Sequence, residues 1–322
     1  MSGVPRETEH LLNVLLGAFL LGACAPAAGG VVPERTLKGA GLPGLRGNAL
    51  LYSVSGISVD DRGNTYVTDI LEYALEKFDR RGRLVARTGR RGTGPGEFRA
   101  PSLSVTGRGR VIVVQMEDPR IEVFDTALTF MREITVSGGL PVDLAPSGAD
   151  AFAVALCGDS TRAEVLVYRS RSDAPPARLR LSQTGCRFPL YAAVRIALSP
   201  GGDIVAAYLF MNRVEVYGRG GNYLRRFAIA CMRGDAVSPG ERPVPEETYF
   251  RKVLVDRDGS IVLLGGNRSP HPGRDLFICS PTGKLQRILV LAEKPRVVSL
   301  GGPHRLLATD ESGTKIVEYM LK

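Results

Sequence analysis

Histidine is scarce in this chain, and the usual catalytic motifs are missing from it. Its 322 residues include three histidines (His10, His271 and His304) and five cysteines, with no Cys-x-x-Cys pair. Many zinc sites are built from clusters of cysteine and histidine, and the sequence shows no such cluster. The serine motif Gly-x-Ser-x-Gly is absent, and no glycine-rich phosphate loop joins a predicted strand to a helix.

The most apolar N-terminal stretch is also too short to cross a bilayer. Residues 11–21 (LLNVLLGAFLL) fall below the about 20 residues that a membrane helix needs, and they match a signal-peptide core in length. They lead into Leu21-Gly22-Ala23-Cys24. This tetrad resembles the lipobox of bacterial lipoproteins, whose cysteine becomes the lipidated N-terminus. The resemblance implies a signal peptide at residues 1–23, lipidation of Cys24 and a flexible tether at residues 24–32.

The residue after that cysteine bears on location. Ala25 is similar to the residue that lets Gram-negative lipoproteins pass to the outer membrane. We therefore expect an exported protein, lipid-anchored in the bacterial cell envelope at the outer membrane and facing the periplasm or the surface. A cleaved signal peptide followed by an incidental cysteine is the alternative.

Positive charge predominates, with a formal net charge of +9. Such a balance suits nucleic acid, anionic lipid or acidic glycan, although an arginine-rich surface with solvated charges gives the same count. Single-stranded nucleic acid is bound on aromatic stacking platforms, and none is evident here. An exported protein rarely meets RNA, so we expect no nucleic-acid partner.

Six short strand patterns recur about 48 residues apart between residues 78 and 319. Each reads apolar–x–apolar–aromatic, with cysteine once in the aromatic place. A period of this size indicates an array of repeated structural units. The closing residues are Phe78, Phe124, Tyr168, Tyr217, Cys279 and Tyr319.

The unit between Gly56 and Phe98 is the clearest. Its predicted strands are residues 57–59, 64–68, 74–78 and 83–87, joined by turns that end in glycine, which accepts positive φ. Four antiparallel strands with tight turns are typical of one propeller blade. The strings GISVDDRGNTYVTD, LEKFDRRGRLV and GRRGTGPGEF closely resemble the NHL repeat, and the later units resemble it in architecture.

The two chain ends complement each other. The last predicted strand ends at Tyr319 without a fourth strand to follow, whereas residues 34–39 have no partner and are similar to residues 84–89. We therefore predict an all-β, six-bladed propeller over residues 33–322. Its blades have four antiparallel strands, and the N-terminal strand closes the last blade and protects its edge.

One position in each unit lies directly before the apolar pair of the third strand. The NHL resemblance implies arginine there, and two units keep it. Two interpretations are open: a partly basic ring that offers bidentate donors to a carboxylate or phosphate, or ion pairs between neighbouring blades. The six residues are Ala74, Arg120, Glu164, Arg213, Asp275 and Lys315.

The fifth unit has the longest loop between second and third strands, residues 265–274. Loops on a rigid scaffold often carry binding residues, although a solvated insertion has the same composition. Together with Arg120, Arg213 and Lys315, this loop is predicted to form a binding face. Its candidate binding residues are Asn267, Arg268, His271 and Arg274.

Four cysteines follow Cys24, an even number that suits disulfides in an exported protein. Cys157 and Cys186 flank one unit and are the disulfide candidate. Cys279 stands where other units carry an aromatic residue, so we expect it to be a buried apolar side chain.

These patterns favour a binding module for an envelope protein, peptide or glycan, attached to the membrane through Cys24. We expect a monomeric propeller with no metal and no other cofactor. The alternative is a metal-dependent hydrolase or lactonase similar to gluconolactonase, whose channel holds calcium or zinc with one Glu, two Asn and one Asp. Residues of these types include Asp69, Asn212, Asn267 and Asp310. Peptide-amidating lyases also resemble NHL propellers, but they need several histidines, and His271 and His304 are predicted on opposite faces.

Overall fold

A computed structural model describes residues 34–37, 40–41, 51–107, 109–147, 151–158, 161–169, 174–186, 188–232 and 245–321. These residues form six antiparallel blades arranged as a β-propeller, which confirms the predicted fold class. Within each blade the strands pair in chain order, and the first strands of neighbouring blades contact one another around the centre. In this part of the chain no helix is long and apolar enough to cross a membrane.

The strands are numbered in chain order, beginning with β1 (Glu34–Leu37) and β2 (Ala40–Gly41). Blades one to three consist of β3 (Val54–Val59), β4 (Thr65–Asp69), β5 (Ala74–Phe78), β6 (Leu84–Thr88), β7 (Pro101–Gly107), β8 (Arg110–Gln115), β9 (Arg120–Asp125), β10 (Phe130–Thr135), β11 (Leu140–Ser147), β12 (Ala151–Cys157), β13 (Glu164–Arg169) and β14 (Ala177–Arg180). A 3-10 helix, Pro189–Ala192, precedes blade four. Blades four to six consist of β15 (Val194–Leu198), β16 (Ile204–Tyr208), β17 (Val214–Tyr217), β18 (Tyr223–Phe227), β19 (Phe250–Val255), β20 (Ile261–Gly265), β21 (Asp275–Cys279), β22 (Leu285–Leu291), β23 (Val298–Gly302), β24 (Arg305–Thr309) and β25 (Ile316–Met320).

The turn between first and second strands is built alike around the ring. In the described blades its glycine has a positive φ, between 79° and 143°, a backbone conformation that side-chain-bearing residues rarely adopt. Gly148, at the corresponding place in the sequence of the third unit, lies outside the described residues. The described turn glycines are Gly63, Gly109, Gly202, Gly259 and Gly302.

The hydrophobic core lies between the blades. Each of the core clusters joins residues of neighbouring blades, as where Tyr66 of blade one packs in the same cluster as Phe124 of blade two. The six periodic positions, Cys279 included, are all at most 6% exposed, so their predicted place in the core is confirmed. Burying one such aromatic side chain contributes about 2–3 kcal/mol.

Ring closure brings blade six against blade one. Leu307 and Ile316 of blade six share a core cluster with Val54 and Phe78 of blade one. The backbone N–H of Val54 donates to the carbonyl of Gly313 at 2.9 Å.

The N-terminal strands differ in part from the prediction. β2 pairs antiparallel with β25 and so supplies the fourth strand of blade six. Residues 34–37, which were expected to do this, pair instead in parallel with β22, the outer strand of blade five. The outer edge of every blade offers the same backbone donors and acceptors, so the side-chain pattern does not determine which edge a lone strand joins.

Candidate binding site in the propeller channel

The six positions singled out by register are structurally equivalent. Each is the first residue of a third strand or the residue directly before it, at the same end of its blade. The equivalence of the positions is therefore confirmed, whereas a binding role for them stays a prediction. The residues are Ala74, Arg120, Glu164, Arg213, Asp275 and Lys315.

Arg120 is 5% exposed, and its guanidinium holds the loop between blades one and two. It donates to the carbonyl oxygens of Thr93 at 2.6 Å and Glu97 at 2.9 Å, and to Glu133 at 3.1 Å. Neighbouring Glu122 is fully buried, and this burial raises its pKa to about 7, although Arg120 and the side chain of Gln115 lower it. The carboxylate partners of Arg120, Glu122 and Glu133, lie in its own blade, so its ion pairs are not the predicted ones between neighbouring blades.

Arg213 is likewise engaged within its own blade. Its Nε donates to Glu215 at 2.8 Å, its Nη1 donates to the carbonyl of Gln183 at 3.3 Å, and the guanidinium lies 4.8 Å from the ring centre of Tyr208. Burial lowers the pKa of Arg213, but the hydrogen bond to Glu215 and the charges of Tyr208, Glu215 and Tyr217 together outweigh burial and leave the pKa above its ordinary value. Lys315, in contrast, is exposed.

The fifth-blade loop is tied down by its own side chains. Asn267 accepts from the N–H of Thr248 at 2.7 Å and donates to the carbonyl of Glu246 at 3.0 Å, and Arg268 pairs with Glu247. Arg274 Nη1 reaches the carbonyl of Ala292 at 3.4 Å. The loop residues therefore brace the loop and do not converge with Arg120 or Arg213 on one ligand position.

His271 belongs to the same loop and pairs with a buried carboxylate. Its Nδ1 lies 2.9 Å from Asp275 Oδ1, and its backbone N–H donates to Oδ2 at 2.7 Å. Burial raises the pKa of Asp275. His304 lies between β23 and β24, where its Nδ1 is 3.0 Å from Asp256. The two histidines are at opposite ends of the strands, as predicted, and cannot share a metal.

The principal cavity of the described residues is in the central channel and has a volume of about 570 Å³. It is lined by first strands from five blades and extends to the turns that follow them, including Asp60–Gly63 and Pro303. Each first strand is the end strand of its sheet, so one backbone edge faces the channel and offers N–H and C=O groups.

At the inner end of this cavity, cationic side chains converge from blades four, five and six. Lys252 Nζ donates to Asp143 Oδ1 at 2.6 Å, and the N–H of Ile196 donates to Asp143 Oδ2 at 2.8 Å. Asp143 is the one carboxylate among the described lining residues at this end, and we call the group the channel cluster. Its members are Asp143, Arg195, Arg251, Lys252 and Arg296.

The arginines of the channel cluster are fixed by neutral acceptors on neighbouring blades. Arg195 donates to the carbonyl of Val142 in blade three, and Arg251 donates to the carbonyl of Pro295 at 2.9 Å. Arg296 donates to the Ser53 hydroxyl at 2.7 Å. Carbonyl and hydroxyl acceptors orient a guanidinium without cancelling its charge.

Burial makes this charge costly. Arg195 and Arg251 are each 8% exposed. Burial lowers the pKa of Arg195, although Asp143 raises it, and burial together with the nearby positive charge of Arg195 lowers the pKa of Arg251 to about 10. Over the whole cavity lining seven cationic side chains face four carboxylates. Carboxylates outside the lining offset part of this excess, because Glu318 pairs with Arg305 and Glu311 acts on Arg251. The arrangement is suited to an anionic ligand.

The channel cluster was not predicted from the sequence, because the third-strand positions do not include it. The sequence feature that marks the cluster is a charged residue near the start of an otherwise apolar first strand, as in Val194-Arg195-Ile196 and Phe250-Arg251-Lys252. In blade five Arg251 also occupies a β-bulge between Phe250 and Lys252, and bulges re-aim side chains. The extra residue of a bulge shifts the alternation of side chains by one position.

The four candidate ligands of the alternative function are each held by groups of their own surroundings. In the described ranges no group of three or more His, Cys, Asp or Glu side chains is placed to hold a metal ion. Asp69 accepts the backbone N–H groups of Tyr52 and Ser53, and Asp310 accepts those of its own turn. The amides of Asn212 and Asn267 bond to backbone groups of their own blades.

The disulfide predicted between Cys157 and Cys186 is not formed. Both side chains are buried in the core between blades three and four, but the Cys157 thiol faces the carbonyl of Pro189, whereas the Cys186 thiol contacts Met211. An even number of cysteines does not determine the direction in which each thiol points. The lipidation residue Cys24, the signal peptide and the tether lie outside the described residues.

No protein-family model matches the chain, and no curated protein matches its sequence. Solved structures match its fold. A calcium-binding protein, regucalcin, from Agrobacterium tumefaciens is 13% identical, with a TM-score of 0.60 over 90% of this chain and 95% of that one. Virginiamycin B lyase from Staphylococcus aureus is 13% identical, with a TM-score of 0.56 over 88% and 84% of the two chains. Hydrazine synthase from Kuenenia stuttgartiensis is 13% identical, with a TM-score of 0.58 and 83% coverage of each chain. At this identity the similarity shows the propeller fold alone.

Proposed function

We propose that this chain is an exported, lipid-anchored binding propeller of NHL type, which takes an acidic group of an envelope protein, peptide or glycan into its channel. The observation that carries the proposal is the cavity of about 570 Å³, whose lining has more cationic side chains than carboxylates. A concave site with a few fixed polar groups is the usual form of a ligand site. The backbone edges of the first strands add hydrogen-bonding groups for a polar ligand.

The ligand position differs from the face predicted from the sequence. Arg120, Arg213 and Arg268 have carboxylate partners within hydrogen-bond reach, so their charges are already compensated. The channel cluster gathers four cations at one end of the cavity, with Asp143 as the carboxylate of the lining there, and we therefore propose the ligand position at this end. No observation on the described residues favours the metal-dependent hydrolase or lactonase.

Binding can be tested with a fluorescent acidic peptide and an acidic glycan, each paired with a neutral counterpart in which the carboxylates are amidated. We expect the acidic forms to bind at least tenfold more tightly at low salt, since salt screens the attraction. Arg296→Gln should weaken their binding at least fivefold. Arg81→Gln removes the same charge from an exposed turn outside the cavity and should leave binding unchanged. Equal binding of acidic and amidated ligands would contradict the proposal.

The lipid anchor needs a separate test. The supporting features are the apolar residues 11–21 and the tetrad that ends at Cys24. Growing cells would be labelled with a radioactive or clickable fatty acid, and the wild type should take up label that the Cys24→Ala variant lacks. Equal label in both proteins would end the lipoprotein claim.

A further inference from the structure

We propose that Cys231 and Cys279 form a disulfide under oxidising conditions, which ties the connection between blades four and five to the third strand of blade five. Cys279 is fully buried in the core cluster between these blades, and half-buried Cys231 packs against the same cluster. The structure holds both as thiols. The proposal does not depend on ligand binding, although the envelope location proposed above would supply surroundings in which disulfides persist.

The outer strand of blade four lies beside the end of β21 that carries Cys279. Arg225 donates to the carbonyl of Pro281. The Phe227 ring lies so close to Gly283 that a Cβ at Gly283 would overlap it. Both contacts are made by the turn that directly follows Cys279. The end of β18 and the end of β21 are therefore neighbours across the junction.

Cys231 follows shortly after β18 ends. Its neighbours Ile229 and Met232 are buried members of the cluster that contains Cys279. Burial raises the pKa of the Cys279 thiol to about 12, and the nearby Cys231 thiol raises it further. The two thiol groups are therefore within electrostatic reach of each other in a part of the core from which water is largely excluded.

The junction between blades one and two makes an equivalent contact with aromatic rings. There Phe98, from the connection between the blades, packs on Phe124 with 6.0 Å between the ring centres. Phe124 has the periodic third-strand position that Cys279 has in blade five. In this fold the connection that enters a blade can thus reach that position. At the junction before blade five a thiol stands on each side of such a contact.

The reaction is a thiol–disulfide exchange, with a small or protein disulfide as the oxidant. Cys231 reacts first because it is half-buried, whereas the raised pKa of Cys279 keeps that thiol protonated. The Cys231 thiolate attacks one sulfur of the oxidant, forms a mixed disulfide and releases one thiolate. Cys279 then loses its proton and attacks the Cys231 sulfur, and the second thiolate of the oxidant leaves. The two released thiolates take up the two protons, so two protein thiols are oxidised and one disulfide is reduced.

The test is a peptide map of the purified full-length protein, first reduced and then incubated with oxidised glutathione. Remaining thiols are blocked with iodoacetamide before digestion with trypsin. Cleavage after lysine and arginine leaves Cys231 in residues 227–233 and Cys279 in residues 275–284, and each other cysteine in a peptide of its own. We expect mass spectrometry to find these two peptides linked, and to find them separate again after reduction.

Variants and stability measurements assign the bond. Cys279→Ala should stop at a glutathione adduct on Cys231, because no second thiol attacks it. Cys157→Ala is the matched control, since it removes another buried core thiol and should still give the linked pair. Oxidised wild type should unfold at a higher urea concentration than reduced wild type, because the bond restricts the unfolded chain. This difference should vanish in Cys279→Ala.

Three results would overturn the inference: wild type in which these peptides stay unlinked, a link from either of them to another cysteine or a second chain, or a linked pair with no rise in the urea midpoint, as expected of a bond that strains the native structure. The wild-type map needs no variant, so the proposal stays testable if Cys279→Ala is unstable. None of these measurements reads ligand binding, so the proposed function stands or falls separately.

Discussion

Removing the carboxylate of Asp143 should destabilise the propeller strongly, because it leaves the cations of the channel cluster unbalanced. Asp143 is 1% exposed and accepts hydrogen bonds from Lys252 at 2.6 Å and from Ile196 N–H at 2.8 Å. In the Asp143→Asn variant the amide keeps the shape of the side chain but not its charge. The Lys252 ammonium then loses the carboxylate to which it donates.

The expected decrease in the free energy of unfolding follows from the burial of the two side chains. Breaking a buried ion pair by removing one partner costs about 3–5 kcal/mol. The Lys252 side chain is 20% exposed, so its ammonium retains some contact with water, and the lower end of that range applies. We therefore expect the free energy of unfolding to fall by about 3 kcal/mol.

Urea denaturation of wild type and variants at pH 7.5 measures this loss through the transition midpoint. Asp61→Asn is the matched control, because it removes the same charge from an exposed residue at the mouth of the same cavity, and it should change stability by less than about 0.5 kcal/mol. In the Asp143→Asn background, adding Lys252→Met removes the stranded ammonium and should restore more than about 1 kcal/mol. A loss below about 1 kcal/mol, or a double variant no more stable than Asp143→Asn, would refute the electrostatic account.

The remaining predictions concern the loop between blades one and two. Burial raises the pKa of Glu122 from its ordinary value of 4.5 to about 7 in the folded state. Between these two pH values the folded protein therefore keeps a proton that the unfolded chain releases. The free energy of unfolding accordingly falls as the pH rises from about 4.5 to 7. Glu122→Gln should match wild type near pH 4 and exceed its unfolding free energy by about 3 kcal/mol at pH 8, and parallel stability curves for the two proteins would count against this. Arg120→Met should lower the free energy of unfolding by about 3–5 kcal/mol in the same urea assay, because buried carbonyl and carboxylate acceptors lose their donor. A change near zero would instead support the binding interpretation of Arg120. Gly89→Ala should lower the free energy of unfolding by more than about 2 kcal/mol, because φ is +101° and a Cβ would lie 2.5 Å from the Phe98 ring. Gly109→Ala also introduces a side chain at positive φ, but into open space, so the loss should be smaller.

The fold was predictable because the inter-blade core repeats. Phe78, Phe124 and Tyr217 recur at one position of the third strand, and packing between blades requires a bulky buried side chain there. The choice of edge for residues 34–37 was not predictable, because backbone pairing at an outer edge carries no side-chain signal.

The channel cluster was harder to foresee than the fold. Arg195 and Arg251 lie in different sequence contexts, and Asp143 reaches Lys252 across 109 positions of the chain. Their convergence depends on the closed ring, which places residues from separate blades at one end of the channel. Periodicity identified equivalent positions at the third strands, where side chains such as Arg120 have partners in their own blade and the preceding loop.

The closure of blade six against blade one also has a consequence for how the protein folds. Arg296 and Ser53, which are hydrogen-bonded across this seam, stand 243 positions apart in the chain. Contacts between such distant residues raise the mean sequence separation of the native contacts, and folding slows as that separation grows. Since the core lies between blades, the first blade cannot complete one of its two packed faces until the last has formed. We therefore expect joining of this seam to be a late step in folding, during which the apolar faces of blades one and six stay exposed to solvent.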